Sequence, residues 1–506
     1  MHEFDYRTAV ALDEVPVLSA EALGERILAA IREGWRVLAY FALPEAGEDE
    51  GAGLCCVLAL DAEQRLAAAR TAPLTAFPSL AAACPQVELF EREIYEERGI
   101  LPEGHPWLKP VRRSPDAPGG AGRDFYRVDG SEVHEVAVGP VHAGIIEPGH
   151  FRFQCYGEII LHLEIALGYQ HRALMELLRP GAAARPVAAL RLAECAAGDS
   201  SVAHATALCV LRERLLGLGE LSERSQRLRR VGLELERLAN HCGDLGAIAG
   251  DTGFLPTSSW NGRIRGDFLN LTASLCGNRF GRGLLAYGGT AWGLSPEDCA
   301  DMAGRLAATG RDAAGSAKIM FSSASVGQRM AGTGPVSEAL AKEIGLVGVA
   351  ARACGLARDA RFHAPLSQLP QVASAPRTGR SGDVFARAQV RRAEMEDSLA
   401  LVAADLDWLA RHPEDAAERE EAQALSGAAL AGLPPLRLAV AQVEGWRGEI
   451  CHVGVTGPAG DFLALRVVDP SFHNWTGMAL AMRGGQISDF PLCNKSFNLS
   501  YCGYDL

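Results

Sequence analysis

SERSQRLRRVGLELERLANHCGDLGAIA, residues 222–249, is the stretch that decides the fold class. Its apolar residues recur three and four apart and its charges gather on one face, so it reads as one long amphipathic helix. Downstream and just upstream, the same spacing predicts helices over 172–178, 204–216, 267–276, 337–344 and 383–409. Residues 135–158 read as a β-hairpin, and the tail from Leu436 as short strands and loops ending in SFNLSYCGYDL. Residues 1–112 differ in pattern: helices at 20–33 and 90–98, strand-like runs at 35–43 and 53–60. RRSPDAPGGAGRD (112–124) separates the two zones; Pro, Gly and charge dominate it, which predicts a linker over 113–130. The expected fold is α+β: a small α/β domain at 1–112 fused to a large, mainly helical domain at 131–506. That large domain has β-hairpins at its start and short strands near its end.

Composition excludes several classes. The chain has 506 residues, 48% apolar, enough for about three domains' worth of core. Its formal charge of −13 does not suit nucleic-acid binding, which needs a positive footprint. No apolar run of about 18 residues spans a bilayer, and MHEFDYRTAVALDEVP has no secretory pattern. The 13 cysteines contain no C-x-x-C pair and read as reduced, mostly buried thiols. A P-loop, a Rossmann fingerprint and H-E-x-x-H are all absent.

Seven motifs carry more. They are GPVHAGIIEPGHFRFQCYGE (139–158), LGYQHR (167–172), ELERLANHCGDLGAI (234–248), RACGLARDAR (352–361), GDVFARAQVR (382–391), VEGWRGE (443–449) and DPSFHNW (469–475). In this order they resemble the large subunit of energy-converting [NiFe] hydrogenases and the homologous quinone-site subunit of respiratory complex I. FPSLAAACPQVELFEREIYEERGILPEGHPWLKP (77–110) resembles the smaller complex I subunit that docks on it. Formate hydrogenlyase-type enzymes fuse the two in this order.

The resemblance implies a metal site held by four thiolates from two C-x-x-C pairs, the soft ligands that such a metal pair demands. The first pair's segment is E-R-x-C-G-x-C-x-x-A-H in the family. This chain reads ECAAGDSSVAH (194–204), so Ala197 and Ser200 stand at the ligand positions, with His204 keeping the frame. The second segment, D-P-C-x-x-C, reads DPSFHN (469–474), which places Ser471 and Asn474 there. No metal ligand set is expected. Cys195 lies outside the ligand positions and reads as a packed thiol. After Asn474 the chain runs on for 32 residues, including Asp489, Phe490, Pro491, Asn494, Lys495 and Asn498. That resembles the uncut end of the complex I subunit, a tail able to pack across the former metal pocket.

Candidate catalytic residues are His142, His150, Asp199 and His473; candidate pocket residues are Ala197, Ser200, His204, Ser471 and Asn474. A quinone headgroup calls for a histidine on the first hairpin loop and a tyrosine near the first pair. His142 and His150 offer the histidine, but 197–200 holds no tyrosine. Two readings stay open: a polar pocket that binds a small molecule, or a self-satisfied hydrogen-bond network in place of the metal. Glu234, Glu236, Arg237 and Asn240 read as an internal polar face or as salt bridges. Asp383, Arg387 and Arg391 share a helical face and could pair locally. Glu444, Arg447 and Glu449 flank a tight turn, and Glu158 reads as surface.

The role the resemblance implies is a peripheral-arm large subunit of a complex I-like membrane assembly, on the cytoplasmic face of the cytoplasmic membrane, that couples electron transfer to ion translocation without a [NiFe] centre and binds no cofactor itself, with quinone left open as acceptor. The expected partners are a small iron–sulfur subunit, ferredoxin-like cluster subunits and antiporter-like membrane subunits. The alternatives are a non-redox coupling subunit and, last, a working hydrogenase.

Overall fold

The computed structural model describes residues 1–45, 51–112, 125–142 and 146–506, with only the backbone at 180–182. Most of the expected linker (113–124) lies outside the described residues; 125–130 has no regular secondary structure.

The N-terminal sheet is ordered His2–Asp5, Arg65–Thr71, Ala52–Leu60, Arg36–Pro44, all antiparallel, with Val17–Leu18 pairing parallel to Arg65–Thr71. Arg36–Pro44 and Ala52–Leu60 are apolar almost without alternation because both faces are covered, and all but the last residue of each is buried. The helix Ala20–Arg32 starts where Ser19 Oγ accepts the Ala22 N–H, and it packs beside Arg65–Thr71. Glu88–Arg98 packs on Arg36–Pro44 and ends at Gly99 in the left-handed region.

The large unit is a helical bundle. The helix read at 222–249 runs from Glu223 to Asp251, its start capped by Ser222. It packs against Leu255–Cys276 and Val384–Arg411, and Pro296–Ser322 closes the bundle behind them. The charged face is not a wet one: Arg229, Glu234, Glu236, Arg237 and Asp244 are buried. Asp383 forms no salt bridge with Arg387 or Arg391, although Arg391 donates to the Arg387 carbonyl at 3.3 Å. Asp383 caps Val384–Arg411, Arg387 bonds Ser496 and two carbonyls, and Arg391 pairs with Asp244. Tertiary partners supplied by the neighbouring helices and the tail outcompete the local ones.

The expected hairpin is a three-stranded sheet of Val133–Val138, His150–Tyr156 and Ile159–Ala166. The tail is more regular than short strands and loops. Arg437–Glu444, Glu449–Thr456 and Phe462–Val468 form an antiparallel sheet, and helices Pro470–Ala481, Phe490–Phe497 and Tyr501–Tyr504 follow. Val10–Ala11 adds a fourth strand to this sheet, pairing with Arg437 and Leu438. One hydrophobic cluster therefore runs from Phe4 through Phe90 to Phe472 and Tyr504. All 13 cysteines are free, and only Cys195 is not buried. Among the described residues no helix is long and apolar enough to cross a membrane.

Candidate functional site

Two short segments, distant in the chain, meet behind the C-terminal sheet. Ala197 and Ser200 lie in the turn before helix Ser201–Leu215, and Ser471 and Asn474 lie in the first turn of Pro470–Ala481. The join is made by His204, whose Nε2 lies 3.0 Å from Asp469 Oδ2. Asp-Pro opens the second helix as Asx and Pro commonly do: Asp469 Oδ1 accepts the Ser471 N–H at 2.8 Å, and Pro470, with no N–H, needs no acceptor. His204 Nδ1 faces His452 Nε2 at 3.4 Å, extending the contact to the central strand of the sheet. Burial opposes the Asp469 carboxylate, but His204 and Arg447 outweigh it and hold the group below the ordinary aspartate range. Burial, with His204 beside it, keeps His452 far below the ordinary histidine value.

The second end is clamped. Ser471 Oγ accepts the Ser500 N–H at 2.9 Å. Asn474 accepts the Val347 N–H and donates to the Val347 carbonyl, both at 3.1 Å. Ser500 Oγ then holds the Gly503 N–H and lies 3.3 Å from Cys502 Sγ. Gly503 comes so near that a Cβ there would sit 2.7 Å from Asp469 Cγ, so the tail reaches Asp469 only with a glycine. The tail therefore packs over the second segment.

The first end is held by one turn. Arg447 clasps Asp199 with both guanidinium nitrogens, at 2.6 and 2.7 Å, and its guanidinium lies 4.0 Å from the ring of its neighbour Trp446. Asn240 Nδ2 and Trp446 Nε1 both donate to the Asp199 carbonyl at 2.9 Å. The turn itself is fixed from below, where Arg237 donates to the carbonyls of Glu444 and Gly445. Beneath lies a fully buried ionic cluster: Arg352 pairs with Glu394 at 2.8 Å and Glu444 at 2.6 Å, and His241 Nε2 is 2.9 Å from Glu394. Burial takes His241 down to about 4, so it is neutral at physiological pH. Arg36, from the N-terminal sheet, reaches Glu449 across the zones at 2.7 Å.

The sequence-derived candidates separate. Asp199, Ser200, His204 and Ser471 belong to this junction, and Asn474 serves it from behind through Val347. His473 turns away, its ring packed edge-on to Phe90 of the N-terminal unit, and burial lowers it to about 4. His142 Nε2 and His150 Nδ1 bind the carbonyls of Gly149 and Gly139 within their own loop. Glu158 is exposed. Residues not singled out as site residues at the sequence level are Asp469, His452, Ser500 and Gly503. The Asp-Pro pair was a readable helix-start signal; the others become visible only through contacts between distant segments.

A [NiFe] centre does not fit these donors. The positions offer a buried methyl at Ala197, two hydroxyls and an amide, with Ser471 and Asn474 already bonded within the chain. No cluster of three or more His, Cys, Asp or Glu side chains suited to a metal occurs among the described residues.

Comparison with known proteins agrees with this architecture. Residues 251–505 match the respiratory-chain NADH dehydrogenase 49 kDa subunit family. Residues 34–131 match the 30 kDa subunit family of the same enzyme. Formate hydrogenlyase subunit 5 of Escherichia coli is 26% identical over 447 residues, covering 84% of this chain and 76% of its own. Hydrogenase-4 component G of the same organism is 26% identical over 490 residues, covering 91% and 80%. An NADH-quinone oxidoreductase subunit of Chloroherpeton thalassium is 27% identical over 353 residues, covering 66% and 78%.

Proposed function

The chain belongs to the family of the respiratory-chain NADH dehydrogenase 49 kDa subunit, and from that premise we propose a specific role. It is the large subunit of a complex I-like, hydrogenase-related membrane assembly that works without a [NiFe] centre. It couples electron transfer from a neighbouring iron–sulfur cluster to ion movement. Residues 1–112 serve as the small docking-subunit-like domain and 131–506 as the large-subunit domain, joined by 113–130. The assembly places it on the cytoplasmic face of the membrane, beside a small iron–sulfur subunit, ferredoxin-like cluster carriers and antiporter-like membrane subunits. Kinship supports this: one relative is the membrane-bound hydrogenase subunit alpha of Pyrococcus furiosus, 25% identical over 72% of this chain.

The observation that carries the reading is the junction of 197–204 with 469–475, closed by the tail at Ser500 and Gly503. Within it His204, Asp469 and His452 form a buried hydrogen-bonding line, and Arg447 holds the first segment against the tail through Asp199 and the Asn498 carbonyl. A small acceptor would meet Asp199 first, since Ser471 and Asn474 are engaged and Ser200 is buried. A quinone is one acceptor class, with His142 or His150 of the first hairpin loop as its expected histidine.

The test is metal analysis of the purified complex, together with cluster oxidation and ion uptake in sealed vesicles. Substoichiometric nickel with cluster turnover is the expected result; one nickel per chain overturns the proposal. A second reading, a coupler with no redox chemistry, is favoured by the saturated hydrogen bonding at Ser471 and Asn474. It prevails if the partner's clusters are never oxidised through the complex.

A further inference from the structure

Glu236 lies on the face of the long helix toward the first segment. Its two carboxyl oxygens accept the Val202 N–H at 2.7 Å and the Ala203 N–H at 3.2 Å, at the start of Ser201–Leu215. A narrow crevice leads to it from the surface, lined by Asp199, Glu236, Asn240, Arg265, Thr272 and Arg279, with Leu269 and Phe280 beside them. Its volume is about 10 Å³, room for one water molecule. Asp199, on the same crevice, is about a third exposed on its side chain and touches Arg447, which also reaches toward Ser200 Oγ at 3.5 Å.

We propose that Glu236, with the water-sized crevice it shares with Asp199, is the proton inlet of the candidate site. The inference rests on the reading of that site as the place where a small acceptor is reduced, and it adds a residue, Glu236, that this reading does not use. The step is a proton transfer only: the Glu236 carboxylic acid O–H breaks as its proton passes through the crevice water to the Asp199 carboxylate, where a new O–H forms, and a proton from bulk water then restores the Glu236 acid. No electrons move. The charged groups around Glu236 are Arg237 on its own helix, Asp199 with its partner Arg447, and Arg265 and Arg279 on the crevice wall. Ser201–Leu215 presents only backbone N–H groups to the carboxyl. The two N–H bonds lower the proton affinity, yet burial outweighs them and Asp199 adds to burial, which raises Glu236 to about 8. The group thus holds a proton at neutral pH and can release it within the physiological range. An ordinary helix-capping glutamate, exposed and ionised, could not.

Infrared difference spectroscopy of the isolated full chain tests this without depending on turnover of the assembly. A protonated-carboxyl C=O band is expected at about pH 6, absent in Glu236→Gln and fading through a midpoint near 8. In D2O the band should shift well before global exchange. Leu269→Phe, which adds bulk on the crevice wall, should leave the band and slow its shift about tenfold. Absence of any Glu236→Gln-sensitive band below pH 7 overturns the proposal. So does a D2O shift that appears only on unfolding. If Glu236→Gln does not fold, the Leu269→Phe chain still decides, because an unchanged shift rate removes the crevice as the route. All these results are independent of nickel content and cluster oxidation, so they separate this inference from the functional reading beneath it.

Discussion

The two ends of the junction are built differently. Ser471 and Asn474 are tied to backbone at Ser500 and Val347, and each has 1% or less of its surface exposed. Ala197 and Ser200 are also buried, but the Ser200 hydroxyl is held more loosely, by Arg447 Nη1 at 3.5 Å. Their segment is positioned by Arg447 and Asn240 through Asp199, whose side chain is 34% exposed. The second end has become part of the scaffold. The first end meets solvent through Asp199, beside Glu236 and Asn240. The junction is closed unevenly: the half nearer the tail is bonded to backbone at Ser500 and Val347, and the half nearer the crevice meets solvent through Asp199.

The contrast can be broken from the strong side first. Asp469→Ala removes a helix cap and the partner of a buried His204, an expected loss of about 3–4 kcal/mol in denaturant unfolding. The native carboxyl is held below its unfolded value, so its contribution is full above the ordinary aspartate range. It is lost as pH falls through the lower folded value, and the gap between variant and native chain should close in strong acid. A gap that stays constant into strong acid would contradict this assignment. Asn474→Ala should cost about 2–3 kcal/mol, since it strands both a buried N–H and a buried C=O at Val347. Melting curves of the two variants would rank them.

The weaker side should respond less. Asp199→Asn removes a charge from a pair that is partly in water, so about 1 kcal/mol or less is expected, shrinking further in salt. A loss equal to that of Asn474→Ala would erase the distinction between the two ends. The smallest expected effect is none at all. Placing cysteine at positions 197, 200, 471 and 474 together should yield no hydrogen evolution at an electrode, because Ser500 and Gly503 still cover the second end. Measurable hydrogen would show that the tail does not close it.

Much of this was legible in the sequence, for physical reasons. The helix at 222–249 was found because its apolar residues keep helical spacing over seven turns. The buried strands at 35–43 and 53–60 were found because uninterrupted apolar runs bounded by turns have few other uses. Pro296–Ser322, a helix of 27 residues, was missed although Cys299, Met302, Leu306, Ala313, Ala317 and Met320 keep helical spacing, because small residues weaken the contrast. Its core-facing positions include Gly310, Ala313, Ser316 and Ala317, small residues that allow close helix approach but carry little hydrophobic contrast. The tail helices were missed because Pro470–Ala481 is buried on nearly every side, so its sequence alternates with nothing. At the site, the four substituted positions could be read directly. Their partners could not: Asp469 lies 265 residues from His204, and His452 lies 248 from it. No local pattern encodes pairings of that range.

Val10–Ala11 completes the sheet begun by Arg437–Glu444. On a ribosome making about 5–20 residues per second, that early segment therefore waits roughly 20–90 s for the strand it must join. Any chaperone that escorts this polypeptide should shield residues 10 and 11 until synthesis has passed the late strand.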